Sequence, residues 1–169
     1  DRRQQLEQQL RLRARRIVVG GAHFIDDPGA VKDQIQPAFH PGLLGQKHAP
    51  HVGVLDGVHR GHQHLLQTLV AEARKRSLAP GVVTLHPHPL TVLRPDFRPA
   101  YLTSIEERIA LLVAEGCDWV TPLTFTKDVA AIECEELGRA FATDACMKLM
   151  VLGPDAAFGR GAPRDTGDR

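Results

Sequence analysis

Apolar positions are spread unevenly along the chain, and their spacing predicts where regular structure lies. Residues 1–16 are polar, with Leu6, Leu10 and Leu12 as their only leucines, too few for a binding face. They read as a solvated helical tail. Residues 17–51 offer a short apolar run at 17–21 and are then broken by Pro28, Pro37, Pro41 and Pro50, so a long loop without chemistry is expected. From residue 52 the pattern becomes regular. Residues 52–55 predict a buried strand, and Leu65, Leu66, Leu69, Val70 and Ala73 then recur at helical spacing, with Glu72 four before Arg76. Pro80-Gly81 is expected to end that helix, and 82–85 is a second β-branched run. Such a β-α-β unit is right-handed with parallel strands.

The stretch HPHPLTVLRPDFRP is dense in proline and reads as loop. Thr103 with Glu106 fits a capping box that opens a helix carrying Ile105, Ile109, Leu112 and Val113, and Gly116 is placed to close it. Residues 119–123 predict a third strand, 135–143 a weaker helix and 149–152 a fourth strand, which runs into GPDAAFGRG. The expected fold class is α/β, Rossmann-like, with a mainly parallel sheet and helices on both faces. Residues 1–50 form a partly helical or disordered lead-in, and 51–169 form the domain. Loops after the first, second and fourth strands then line one sheet edge, where doubly wound sheets bind ligands.

Composition narrows the partners. The 21 Lys and Arg nearly balance 20 Asp and Glu, and aromatic content is only 5%. No field or stacking surface calls for nucleic acid or membrane. Cys117, Cys134 and Cys146 lack paired spacing, so they read as small core residues in a reducing, cytoplasmic setting. No apolar run approaches the roughly 18 residues of a membrane span.

The chemistry concentrates in VGVLDGVHRGHQH, residues 52–64. A strand, a glycine-permitted turn and a helix start place free N–H groups and the positive helix end toward an anion. His59 and His62 stand on neighbouring positions of that helix start, and Gly61 lets a phosphate approach the backbone. Two imidazoles offer N–H donors as charge builds on a phosphoryl group. His59, His62 and His64 could alternatively supply nitrogen ligands to a transition metal, but no carboxylate or thiolate at ligand spacing completes the set, so no metal site is expected. His86 and His88 read more simply as part of a proline-locked loop, with His86 exposed, than as an acid/base pair. Gly159 and Gly161 read as a flexible turn rather than a second phosphate loop.

His59-Arg60-Gly61-His62 resembles the HxGH signature of the nucleotidyltransferase superfamily. The longer string GVLDGVHRGH is similar to Gly-x-Phe-Asp-Gly-Val-His-x-Gly-His of the bacterial bifunctional riboflavin kinase/FAD synthetase family. The likeness continues through VVTLHPHP, LTSIEERIALL, GCDWV, PLTFT and VLGPDAAFGRG, over roughly residues 51–168. It implies an FMN adenylyltransferase module in which the FMN phosphate attacks the α-phosphate of ATP, with Mg²⁺ on the phosphates, giving FAD and pyrophosphate. By that resemblance His59 and His62 hold the ATP phosphates, and Asp155 lies near the reacting groups. Gly53, Asp56, Gly57 and Gly61 shape the nucleotide loop. Pro87, His88 and Pro89 match the flavin loop, and Phe158 matches the aromatic that flanks the isoalloxazine.

The departures from the family are Leu55 and Leu85 for Phe, His86 for an acid, and Ala156 for Phe, with a helix from residue 132 to 146 poorer in apolar positions. The family's second motif, a Ser/Thr-rich turn leading to an Arg, and its riboflavin kinase barrel are expected beyond residue 169, so the chain reads as part of a longer protein. Two rivals stand beside the adenylyltransferase: another HxGH nucleotidyltransferase, and a non-catalytic nucleotide- or flavin-binding remnant. The Pro-His-Pro and Gly-Pro-Asp segments favour the FMN enzyme over the first rival.

Overall fold

The computed structural model describes residues 46–143, 146–153 and 159–160. The readings made of residues 1–45 lie outside them, as do Asp155, Phe158 and most of the GPDAAFGRG loop. Three parallel strands, β1 (His48–Gly53), β2 (Ala79–His86) and β3 (Trp119–Thr124), stand in the order β1-β2-β3. Helix α1 (Arg60–Lys75) joins β1 to β2, and α2 (Pro89–Leu93) and α3 (Ile105–Ala114) join β2 to β3. After β3 come α4 (Lys127–Ala131) and α5 (Cys134–Thr143).

Successive strand residues face opposite sides of the sheet, and both sides are apolar. Ala49, Val82 and Val120 pack with Leu66, Leu69 and Ala73 of α1 and with Ile109, Leu112 and Val113 of α3. Their neighbours Val83 and Trp119 pack on the other side, with Leu123 and with Leu137, Ala140 and Phe141 of α5. The expected α/β class, parallel sheet and two helical layers are therefore what the chain forms.

The boundaries differ from the sequence reading for identifiable reasons. β1 starts at His48 rather than Val52, because His48 and His51 are buried strand residues despite their polarity. The His48 ring meets Trp119 edge-on at 5.5 Å. Pro80 and Gly81 lie inside β2 and do not end α1. The helix closes earlier, where Ser77 N–H donates to the Arg74 carbonyl (3.1 Å) and Leu78 N–H to the Ala73 carbonyl (2.9 Å). This is a Schellman closure with Ser77, at φ 53°, where glycine is usual, so its sequence signal was missing. Gly81 serves packing instead. A Cβ there would sit 2.0 Å from the Trp119 ring.

The capping box of α3 is Ser104 with Glu107, one residue beyond the expected pair, and Gly116 (φ 102°) closes that helix as anticipated. Helices α2 and α4 had no anticipated counterpart. Of the cysteines, Cys117 is buried, Cys134 half-buried and Cys146 exposed, so the core reading holds only in part.

The fourth strand expected at 149–152 is not formed. Residues 146–151 run beside β1 and meet it at one parallel bridge, His48 with Met147. Bonds run from His48 N–H to the Cys146 carbonyl (3.2 Å), Lys148 N–H to the His48 carbonyl (2.9 Å) and Val151 N–H to the Pro50 carbonyl (3.1 Å). Pro50 has no N–H to donate, so the ladder loses a rung where a strand would propagate.

Candidate functional site

The corner after β1 is backbone held in an unusual shape. Leu55, Gly57 and Val58 all have positive φ (51°, 69° and 39°), a region that leucine and valine rarely enter. Leu55 and Val58 are anchored because their side chains are buried in the core beneath α1 and α3. Leu55 is thus largely a packing residue, although it also borders the cleft described below. At Gly57 a Cβ would come within 2.7 Å of Leu102 Cδ1.

Asp56 ties this corner to the chain ahead of α3. Its carboxylate accepts from Leu102 N–H (2.7 Å), Thr103 N–H (3.1 Å) and Thr103 Oγ1 (2.6 Å). Arg108, whose side chain is fully buried, reaches the same carboxylate at 3.3 Å. Desolvation opposes ionisation of Asp56, but the Thr103 hydroxyl, the two amides and the Arg108 charge outweigh it. Its pKa is held below the ordinary carboxylate value.

His59 is the N-cap of α1, its Nδ1 accepting the His62 N–H at 3.4 Å. Helix geometry leaves the Arg60 and Gly61 N–H groups without intrahelical acceptors at the same end. The His59 and His62 rings stack with centroids 3.6 Å apart. A Cβ on Gly61 would lie 3.2 Å from His59 Cε1, so this glycine gives room to the His59 ring as well as exposing backbone. Burial, with the nearby His59 and His51, lowers the His62 pKa to about 4, and its Nδ1 is buried without a hydrogen-bond partner among the described residues. With its pKa lowered that far, His62 is neutral at pH 7.

His51, which the sequence reading left in a loop without chemistry, belongs to this group. Its Nδ1 contacts the Val151 carbonyl at 2.7 Å, which fixes that nitrogen as the N–H donor. Nε2 is then turned toward Gly53, where a Cβ would lie 2.8 Å away. Burial lowers the His51 pKa despite that bond.

Across from the corner is the Pro-His-Pro loop. The His86–Pro87 peptide is cis, His86 is exposed as expected, and His88 caps α2, its Nδ1 accepting the Leu90 N–H at 3.1 Å. The His88 N–H donates to the Tyr101 hydroxyl at 2.7 Å. Desolvation and the Arg108 charge lower the His88 pKa.

One cleft of about 1300 Å³ takes in both sides. Gly53, Asp56, His59, Gly61 and His62 border it from the corner, and His88 and Pro89 from the loop. Gly57 and Pro87 do not line it. Phe97, Tyr101, Phe125 and Phe141 add aromatic surface that the sequence reading had not placed there. The cleft can therefore hold an anion at the helix start and a planar ring against aromatic and proline surfaces. Arg108 was also missed, although a polar residue among Ile105, Ile109 and Leu112 on an apolar helical stripe was a readable signal.

Among the described residues no three His, Cys, Asp or Glu side chains gather as a metal site, and no helix is long and apolar enough to cross a membrane. Residues 45–167 match the FAD synthetase family model. The chain is 36% identical over 115 residues to the bifunctional riboflavin kinase/FMN adenylyltransferase of Escherichia coli K12, covering 68% of this chain and 37% of that protein. The Bacillus subtilis protein of the same name is 29% identical over 110 residues, 64% of this chain and 35% of the relative. A crystal structure described as a macrolide-efflux protein from Streptococcus pneumoniae superposes with a TM-score of 0.62 at 28% identity, over 68% of this chain and 38% of the other. The chain thus spans little more than a third of the length of these relatives. With the family model covering most of its length, the chain belongs to the FAD synthetase family.

Proposed function

We propose that this chain carries the FMN adenylyltransferase reaction, joining AMP from ATP to FMN. The observation that carries the reading is a single cleft with the paired imidazoles of a helix start on one side and the Pro-His-Pro loop on the other. A phosphate oxygen of FMN attacks the α-phosphorus of ATP, the new O–P bond forms, and the bond to the β-phosphate bridging oxygen breaks. FAD and pyrophosphate leave. His62 and His59 donate N–H groups to the phosphoryl oxygens as charge concentrates, together with the free amides at the start of α1. His88, Pro89 and the cleft aromatics orient the flavin ring. Asp56 is already taken up by four donors, so its part is to hold the turn.

The described donor set does not build a protein metal cage. Mg²⁺ belongs to this reading as the counterion of the ATP phosphates, part of the nucleotide substrate. Asp155 and Phe158 retain their proposed places, near the reacting phosphates and beside the isoalloxazine.

Incubation with ATP, Mg²⁺ and FMN, followed by separation of flavins, tests the reading. FAD is expected to accumulate, and His62→Ala is expected to slow it by about 10²–10³-fold, the loss typical of one transition-state donor. FMN binding without FAD in the parent chain would instead favour a binding remnant.

A further inference from the structure

Arg108 stands outside the reaction as written, yet it touches both sides of the cleft. Its side chain is fully buried in a mixed α/β core. Nη1 donates to the Val54 carbonyl at 3.0 Å, just past β1, and lies 3.5 Å from Thr84 Oγ1 on β2. Nη2 reaches Asp56 in the turn at 3.3 Å. Cζ lies 5.6 Å from the centre of the Tyr101 ring, within cation–π range. The hydroxyl of that same ring holds the His88 N–H. Three contacts, Asp56–Arg108, Arg108–Tyr101 and Tyr101–His88, thus run without interruption from the phosphate corner to the flavin loop.

Burying a guanidinium is expensive, and an apolar side chain of similar volume is often as stable or more so. Here the charge is only partly repaid, because Nε is buried with no acceptor among the described residues. A planar group with several donors suits a post at which three backbone segments meet. We propose that Arg108 is a positioning residue that couples the Asp56 turn to the His88 loop, so that filling one side of the cleft is felt at the other. A planar ligand settling on the His88 loop shifts the Tyr101 ring, the ring bears on the guanidinium, and the guanidinium passes the load to the Asp56 turn. The identity of the two ligands rests on the proposed function; the coupling does not.

The first measurement needs no ligand. Amide hydrogen exchange at His88 and Thr103 is followed in the parent chain, Tyr101→Phe, Arg108→Lys and the double variant. Arg108→Lys is expected to speed exchange at both amides by about tenfold, and the two substitutions are expected to be non-additive at His88. A His88 rate that stays at the parent value in Arg108→Lys overturns the proposal. Tyr101→Phe leaves every bond of Arg108 in place, so it carries the same test should the lysine variant not fold. In that case its signature is faster exchange at Thr103 as well as at His88, and an effect confined to His88 overturns the proposal.

The second measurement is the FMN dissociation constant with and without an ATP analogue whose α,β-bridge cannot be cleaved. The parent chain is expected to show a change of about fivefold or more, within the usual range of coupling between sites, and Arg108→Lys a factor near one, each measured well below that chain's own melting midpoint. Retention of the full factor in Arg108→Lys overturns the coupling. A parent chain that binds neither ligand overturns the proposed function, and the exchange rates then decide Arg108 alone.

Discussion

The two sides of the cleft are built on different terms. The corner between β1 and α1 is over-determined: two of its three positive-φ residues, Leu55 and Val58, are held by core side chains, and one carboxylate receives three hydrogen bonds and a buried guanidinium. The loop opposite rests on fewer bonds. His88 is held by the Tyr101 hydroxyl and by its own cap to Leu90, and its neighbours are half-exposed. The difference matches the ligands proposed for each side. Phosphoryl transfer gains most from donors that do not move, whereas a flat ring is held by surfaces that can settle against it.

The contrast can be broken, most forcefully at Asp56. Asp56→Ala leaves the Arg108 charge buried and uncompensated, and is expected to cost about 3–5 kcal/mol of stability by chemical denaturation. A loss under about 1 kcal/mol, the range of an exposed pair, would show that the corner is not the rigid side. Gly57→Ala comes next. The positive φ and the close Leu102 side chain are expected to cost about 1–2 kcal/mol, read as a lower denaturation midpoint.

Proton linkage gives a third comparison. His62 ionises near 4 in the folded chain, so between about 4 and 6.5 the unfolded state binds the extra proton. Stability therefore rises with pH across that window and is flat above it, with His51 acting in the same direction. With the open side of the ring screened by solvent, the His62 share is about 1 kcal/mol. His62→Gln is expected to flatten the melting profile between those values. On the loop side, Thr91 Oγ1 is buried without a hydrogen-bond partner among the described residues, so Thr91→Val is expected to change stability by less than about 0.5 kcal/mol or to raise it. A large loss there would place a hidden constraint in the side described as adaptable.

Much of this arrangement was legible before any coordinates. The helical spacing of Leu66, Leu69 and Ala73 and the string around His59 and His62 led to the right elements in the right order. What escaped was what local pattern does not encode. Gly81 is a strand glycine because Trp119, 38 positions later, needs the space; beside Pro80 it looked like a helix end. Ser77 closes α1 in a conformation that leaves no glycine to read. His51 looked like loop because polar residues and prolines surround it, and only long-range contacts, the pairing with Val82 on β2 and the bond to Val151, make it a buried strand residue. Thr103 was assigned to a helix cap, but its hydroxyl is committed to Asp56, 47 positions earlier, and Ser104 takes the cap.

Pro50 carries a consequence beyond the missing rung. The outer edge of β1 would otherwise present a regular row of donors and acceptors, a template on which a strand from another molecule could grow. The proline deletes one donor from that row, and the 146–151 segment occupies the carbonyls on either side without becoming a strand that would carry the edge outward. The sheet is thereby closed to recruitment at β1 by one imino acid and a few irregular bonds. The same segment brings the Val151 carbonyl to the His51 imidazole, so the stretch of chain that guards the edge against neighbours also supplies the acceptor that orients a side chain in the cleft.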